Sequence, residues 1–402
     1  MNPDVVVIGG GCAGSAASYF LAKAGLRVVL LEKEALTAGS SGHSTGVSRV
    51  MLRDLDARDH ATLNARAIPR LEKVVPLIED ETGMDVQYQP APGMTIPMTE
   101  AAWEHMRAIA PGGGQTLLSG SAARELEPSL GPEVIGAAWE PLRRKLDSQS
   151  LTKTYARAAE LRGATIDYRE AVGLRIVGGR VTGVETTTGV VECGNVVLAM
   201  GIDAAKAGGW LGVRLPVIPI KGEALRLRYE GPRAKHLLTP FGLRPGYVEA
   251  GHVIFRKDGV VSVGSTIEDS GYEDKPTEAA RERIMRMATY LWPALESAVV
   301  TEHVHGLRPV PADGLPILGP VPGVAGAYVI AGHSVCACSA MYAEITTDLV
   351  TRGTTEAVDS LEPFSLRRFG DRPLAEIEVF GIVRHMRQAA PVIEAAYPSP
   401  RR

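Results

Sequence analysis

Residues 5–14 read VVVIGGGCAG; an amphipathic stretch covers residues 15–25, and VVLL at residues 28–31 ends on Glu32. The order is strand, glycine turn, helix, strand, acid, the fingerprint of a dinucleotide-binding unit. Gly9 permits the tight turn out of the strand, Gly11 lets backbone approach a pyrophosphate, and Gly14 lets the helix pack close to the strand. The helix N-terminus then offers free N–H groups and the positive end of its dipole to the phosphates. Glu32 stands 18 residues past Gly14, where a carboxylate accepts from both ribose hydroxyls and repels a 2′-phosphate. The ligand class is FAD or NAD rather than NADP. Residues 33–46, KEALTAGSSGHSTG, follow as a loop of small residues with one histidine, His43.

Composition narrows the class of protein. A chain of 402 residues suits two intimately packed domains. Its 43 basic and 46 acidic residues give no bias toward nucleic acid or anionic membranes. No window approaches the roughly 18 uninterrupted apolar residues of a membrane span. The first strand begins by Val5, which leaves no room for a signal peptide, so a reducing cytoplasm is the expected compartment. Cys12, Cys193, Cys336 and Cys338 make neither a disulfide framework nor a zinc pattern, and no metal is expected. Cys12, inside the glycine turn, reads as a small apolar filler.

Further along, residues 60–83 have helical spacing and stop at Gly83. Residues 84–98 are extended and cut by prolines, residues 101–109 form a short helix, and residues 112–114 are a glycine loop. A helix over 151–162 ends at Gly163. Strands are expected at 164–168, 173–177, 180–187, 190–193 and 195–201, then at 217–229, 246–256 and 260–265. Residues 277–299 read as helix, 327–331 as a last buried strand, 339–351 as a helix and the tail after Phe369 as helical. The nucleotide sheet is thus assembled from residues 1–50, 164–205 and 326–355, with a second domain between the pieces. The fold class is α/β: a Rossmann-like domain interleaved with an antiparallel-sheet α+β domain. The expected division is 1–83, 140–215 and 300–370 for the nucleotide domain, 84–139 and 216–299 for the substrate domain, and 371–402 for a tail. Such interleaving is typical of two-domain flavoproteins.

Several motifs carry a family resemblance over roughly residues 4–370. Besides the opening segment they are LEP at 126–128, VLAMG at 197–201, PIKG at 219–222, RKDG at 256–259 and VGST at 263–266. GLRPVPADGLPILG at 306–319, AGH at 331–333 and PFSLRRF at 363–369 complete the set. The chain resembles the D-amino-acid oxidase superfamily of FAD-dependent oxidoreductases, nearest its glycine oxidase, sarcosine oxidase and dimethylglycine dehydrogenase branches. The resemblance implies FAD between an FAD domain and a substrate domain. It places the backbone of Cys12 and Ala13 at the pyrophosphate and Glu32 and Lys33 at the adenosine ribose. Ser40, Ser41, Thr45, Gly46 and Val47 would wrap the flavin end, and Val172 would meet adenine. Gly201 closes a buried strand of the FAD sheet. Gly332, His333, Ser334, Val335, Cys336, Ala337, Cys338 and Ser339 correspond to the loop whose N–H groups face the flavin.

Three sets of residues carry the expected chemistry. Arg308 matches the arginine that pairs with a substrate carboxylate, a task suited to a planar two-pronged donor; the alternative is an arginine that holds the 306–319 loop. His43 stands where dimethylglycine and sarcosine dehydrogenases carry a histidine bonded covalently to flavin, although their preceding tryptophan is Gly42 here; the alternative is a noncovalent polar neighbour. EDETG at 79–83 and QPAPG at 89–93 extend that likeness. His252 occupies the place of a substrate-binding tyrosine in glycine oxidases and is a candidate substrate ligand or base; the alternative is a surface or structural histidine. The second arginine of that branch corresponds to Val335, so the carboxylate clamp is thinner and a bulkier or N-substituted amine is expected. Cys336 and Cys338 read as filler or pocket lining and not as a redox-active pair, since alternate residues of an extended chain face opposite ways. The implied reaction is C–N oxidation of an amine or amino acid by hydride transfer to flavin N5, with an imine as product. Dioxygen or a redox partner would take the electrons, and the oligomeric state is open. A 2-hydroxy-acid dehydrogenase and a non-catalytic flavin-domain subunit are the alternatives.

Overall fold

The computed structural model describes residues 2–48, 58–109, 115–380 except 142, 243, 246, 249–250 and 257, and residues 382–383. The glycine loop at 112–114 and most of the expected C-terminal helix lie outside the described residues. Among the described residues of the tail, Leu374–Glu376 is a short 3-10 turn.

Val5–Ile8 is buried along its whole length, as a central parallel strand must be. It pairs in parallel with Val28–Leu31 on one side and Asn195–Leu198 on the other. Thr165–Asp167 extends the sheet beyond Val28–Leu31, and Ala327–Ala331 beyond Asn195–Leu198, both in parallel. Ile317–Pro320 closes that edge as an antiparallel sixth strand. Alternate side chains feed two cores. Val5 and Val7 meet the helices Cys12–Lys23, Arg58–Thr82, Ser148–Leu161 and Val335–Arg352. Val6 and Ile8 meet the helix Ala204–Leu211 and the three-stranded meander Ala171–Val177, Arg180–Thr186 and Gly189–Glu192.

The second sheet has eight strands in the order Val299–Pro311, Val217–Arg228, Val260–Gly264, His252–Phe255, Leu237–Phe241, Gly93–Pro97, Gly136–Glu140 and Thr116–Ser119. Every pairing is antiparallel except Leu237–Phe241 with Gly93–Pro97. The helix Glu278–Leu291 covers one face over Leu225, Leu227 and the Phe255–Trp292 edge contact. Val217–Arg228 reaches both cores: Val217 is buried beside the parallel sheet, whereas Leu225 and Leu227 are buried under Glu278–Leu291. Gly222, between them, pairs with Gly306 two residues before Arg308, so this stretch of the ladder lies between the two cores.

Four expectations change. Val299–Pro311 hydrogen-bonds along the length of Val217–Arg228, so residues 300–311 form the edge strand of the eight-stranded sheet. The helix expected over 277–299 stops at Leu291, because Pro293 restricts the residue before it, and a 3-10 turn Pro293–Ser297 follows. Leu237–Phe241 is a strand that the sequence hides behind Pro240. The proline is tolerated because only Leu238 pairs across to His252–Phe255. The helix expected at residue 339 starts at Val335, so the supposed loop at 333–339 is mostly its first turn.

Candidate active site

A cavity of about 1420 Å³ runs from the glycine turn to the eight-stranded sheet. That is more than the ~300–1,000 Å³ of an ordinary ligand pocket. At one end Gly9 has φ +111°, and a Cβ there would stand 2.4 Å from the Ala199 carbonyl oxygen. Gly14 lies behind the cavity wall; its Cβ would meet the Gly9 carbonyl oxygen at 1.9 Å, so only glycine lets the helix seat on the turn. Gly11, Cys12 and Ala13 line the cavity. The Cys12 N–H already donates to Ser41 Oγ at 3.0 Å, an oxygen acceptor at the helix N-terminus. Glu32 accepts from the N–H of Gly10 at 2.6 Å and of Glu34 at 2.8 Å. Each of its oxygens keeps a second lone pair for a ribose hydroxyl. Lys33 is fixed by Asp203 at 2.9 Å, and Val172 and Gly201 line the same end.

Ser40, Ser41, His43, Thr45 and Val47 line the middle of the cavity, but Gly46 does not. Its φ is +68° and its Cβ would meet the Leu146 carbonyl oxygen at 2.0 Å; it lets the loop lie against the segment that leads into Ser148–Leu161. His43 packs on Gly306, where a Cβ would stand 3.2 Å from the ring. Burial pushes the His43 imidazole below its ordinary pKa, toward the neutral, nucleophilic form. Gly42 leaves no room for the tryptophan of the dehydrogenases: its Cβ would lie 2.3 Å from the Thr37 carbonyl oxygen.

Gly332, His333, Ser334, Val335, Cys336 and Ala337 line the cavity, whereas Cys338 and Ser339 do not. The Cys338 N–H donates to the Ser334 carbonyl at 3.2 Å, so it is spent inside the helix and faces no ligand. Ser339 is buried, with its hydroxyl on the Cys336 carbonyl at 3.0 Å. Cys12 is the buried core filler expected of it. Its thiol shares a hydrogen bond with that of Cys336, which raises the pKa of Cys12 and lowers that of Cys336.

At the far end Arg308 donates to the Lys221 carbonyl at 3.1 Å and to Ser265 Oγ at 2.5 Å. The PIKG motif now has a physical reason, since a Cβ on Gly222 would sit 2.2 Å from the guanidinium nitrogens. The 306–319 loop is held instead by Arg368, which donates to Asp313 at 2.7 and 3.0 Å and to the Leu315 carbonyl at 2.8 Å. His252 lines the cavity with Nδ1 on Thr239 Oγ1 at 2.9 Å. Sequence reading missed Thr95, His105, Thr239, Phe241 and Asp274 on this wall. His105 stacks on Phe241 with centroids 6.0 Å apart. None of these residues sits in a motif, and the sheet register alone brings them together. Among the described residues no cluster of histidine, cysteine and carboxylate has the arrangement of a metal site. No helix among them is long and apolar enough to cross a membrane.

The glycine turn with no room for side chains, the Glu32 carboxylate beside it and a long cavity ending on a cation define the class: a dinucleotide-binding oxidoreductase that fits FAD. Residues 4–349 match the family model described as FAD dependent oxidoreductase, and the chain belongs to that family. Glycine oxidase from Geobacillus kaustophilus is 28% identical over 384 residues, 91% of this chain and 97% of that protein. The solved structure of glycine oxidase from that source has a TM-score of 0.84 at 26% identity, covering 92% of this chain and 99% of the other. Human mitochondrial dimethylglycine dehydrogenase is 28% identical over 357 residues, 82% of this chain but 40% of that protein. The chain spans 48% of the bifunctional ThiO/ThiG protein of Trichormus variabilis, to which it is 29% identical over 325 residues.

Proposed function

We propose that the protein oxidises the C–N bond of a carboxylate-bearing amine or amino acid, secondary or N-substituted, to an imine. The observation that supports this best is Arg308, held at the cavity wall over the gap left by Gly222. Its fork supplies charge-assisted donors to a carboxylate, which orients the Cα–H for transfer. When bound, FAD supplies the two-electron acceptor. Cys12, Ala13, Glu32 and the 40–47 loop would hold its diphosphate, ribose and ring system. Val335 contributes no second cation, so the other side of the substrate meets Phe241, His105 and His252. The expected setting is the cytoplasm, with dioxygen or a redox partner as final acceptor; oxygen consumption separates the two.

Anaerobic mixing with amines, amino acids and 2-hydroxy acids tests the reading. Bleaching of the flavin by sarcosine-like compounds is expected. Bleaching by hydroxy acids alone would make it a hydroxy-acid dehydrogenase, and no bleaching a non-catalytic subunit.

We also propose that His43 bonds covalently to the flavin, supported by its place in the cavity, its contact with Gly306 and its neutral ring. Acid-denatured protein should pellet yellow, and His43→Ala should release the colour; a yellow wild-type supernatant sinks the idea.

A further inference from the structure

We infer that Glu223 positions Arg308: from the opposite face of the sheet it holds two acceptors of the guanidinium in place. The inference rests on the reading that Arg308 takes the substrate carboxylate. Side chains alternate along a strand, so Lys221 and Glu223 point away from the face where Gly222 meets Arg308. Glu223 is fully buried, though charged, and does not line the cavity. Its carboxylate gathers four groups. Lys221 Nζ stands 2.8 Å from Oε1, and the Thr277 hydroxyl donates to the same oxygen at 3.1 Å. The Thr277 N–H donates to Oε2 at 2.8 Å, and His303 Nε2 lies 2.8 Å from it. Lys221, also buried, meets Glu268 Oε2 at 3.0 Å and donates to the Lys275 carbonyl at 3.1 Å. Each of its three protons thus has a partner. A buried ion pair adds little net stability, so stability alone does not account for this cluster.

Backbone ties carry this anchorage to Arg308. The Glu223 N–H donates to Thr266 Oγ1 at 3.0 Å, and the Thr266 N–H donates to the Glu223 carbonyl at 3.0 Å. The residue before Thr266 is Ser265, whose Oγ accepts from Arg308 Nη2 at 2.5 Å. Lys221 exchanges backbone bonds with Glu268 at 2.9 and 3.0 Å, and its carbonyl also accepts from Arg308 Nη1 at 3.1 Å. Residues 265–268 lie past the end of the regular strand Val260–Gly264. They keep their place beside Val217–Arg228 through Glu223 and Lys221, whose side chains are themselves joined.

Gly222 stands between the two anchored residues, with the guanidinium over the space its missing Cβ leaves. Loss of the Glu223 charge takes one partner from the Lys221 ammonium, loosens the segment at Thr266 and lets the two acceptors move apart. Misaimed by about 1 Å, a two-pronged donor meets one carboxylate oxygen instead of two. Glu223 and Thr266 are positioning residues: neither lines the cavity, and both act through Arg308.

The first test reads Arg308 itself. FAD-loaded protein with isotope-labelled arginine gives side-chain Nε–H resonances by NMR, and Arg308 is assigned by the signal lost in Arg308→Ala. That signal is expected to shift in Glu223→Gln and in Thr266→Val, which cuts a backbone tie and leaves the ion pair intact. Glu302→Gln, at an exposed carboxylate on the neighbouring strand, should leave it in place. A signal unmoved in the first two variants, or moved as far in Glu302→Gln, overturns the inference. The second test is calorimetric titration with propionate as the probe carboxylate. Glu223→Gln should weaken binding about tenfold, the worth of one hydrogen bond, and add nothing further in the Arg308→Ala background. Losses that add in the double variant would make Glu223 a structural residue only and overturn the coupling. Thr266→Val decides both tests if Glu223→Gln does not fold. Neither test needs turnover. Propionate binding that survives Arg308→Ala would sink the carboxylate reading of Arg308 alone, and the resonance then decides the positioning by itself.

Discussion

Arg308 shows how one side chain is placed by what its neighbours lack. Removing its fork in Arg308→Ala should raise KM for carboxylated amines by roughly 10–150-fold, the worth of one charge-assisted bond of about 1.5–3 kcal/mol, and leave flavin content unchanged; steady-state kinetics check this. Gly222→Ala should act in the same direction without touching the charge, since its Cβ would collide with the guanidinium at 2.2 Å. An unchanged KM in both variants would remove Arg308 from the substrate site. The cysteines give a second outcome at this scale. The bond to Cys12 pulls the Cys336 thiol down, while burial pushes Cys193 up to about 11. A small alkylating reagent should therefore label Cys336 before Cys12 and Cys193, read by peptide mass spectrometry. Arg308, His43 and His252 were all visible in the sequence, each through a motif or an aligned position. Glu223 and Thr239 were not, because partners reached across a sheet leave no local pattern. The same holds for the thiol pair, whose members lie far apart in the chain.

Among the elements, the strand–turn–helix unit was legible in full, since its glycines answer to contacts a few residues away. Gly14→Ala should yield protein that purifies without yellow colour, because its Cβ would stand 1.9 Å from the Gly9 carbonyl oxygen and the helix must move off the turn. Visible absorbance per protein is the measure, and a fully yellow variant would contradict the cradle described for the pyrophosphate. Periodicity also found the long helices and the meander, where one face alone is buried. It failed at Leu237–Phe241, where a proline in a sheet interior argues against a strand and only the missing ladder partner excuses it. It failed again at Val335, where two cysteines and a left-handed Ser334 before them read as loop.

At the scale of the whole molecule, the two largest sheets among the described residues are bridged by Val217–Arg228, which is buried in both cores, and pinned by side chains between them. Arg256, from the second sheet, donates to the Thr45 carbonyl at 3.2 Å in the loop beside the cavity. At the opposite edge Arg27 holds the Asp4 carboxyl down to about 2, against an ordinary 3.8. A carboxyl lowered by folding stabilises above its unfolded pKa and loses that contribution as pH falls through the folded one. Both partners are exposed to solvent, so screening leaves the pair a small contribution. Asp4→Asn should lower Tm by about 1–2 °C at neutral pH, with the gap closing as pH drops from about 4 to about 2; calorimetry against pH checks the sign. The interleaved architecture was legible because Asn195–Leu198 and Ala327–Ala331 return as short apolar runs followed by glycine, but the long strand at Val299–Pro311 was not, since the helical reading of 277–299 ran into it. The same interleaving spreads one cradle over distant parts of the chain. The central strand Val5–Ile8 pairs with Asn195–Leu198, which pairs in turn with Ala327–Ala331. Such long-range pairings are slow to form, so the turn at Gly9 is fully backed only once segments far along the chain have found it.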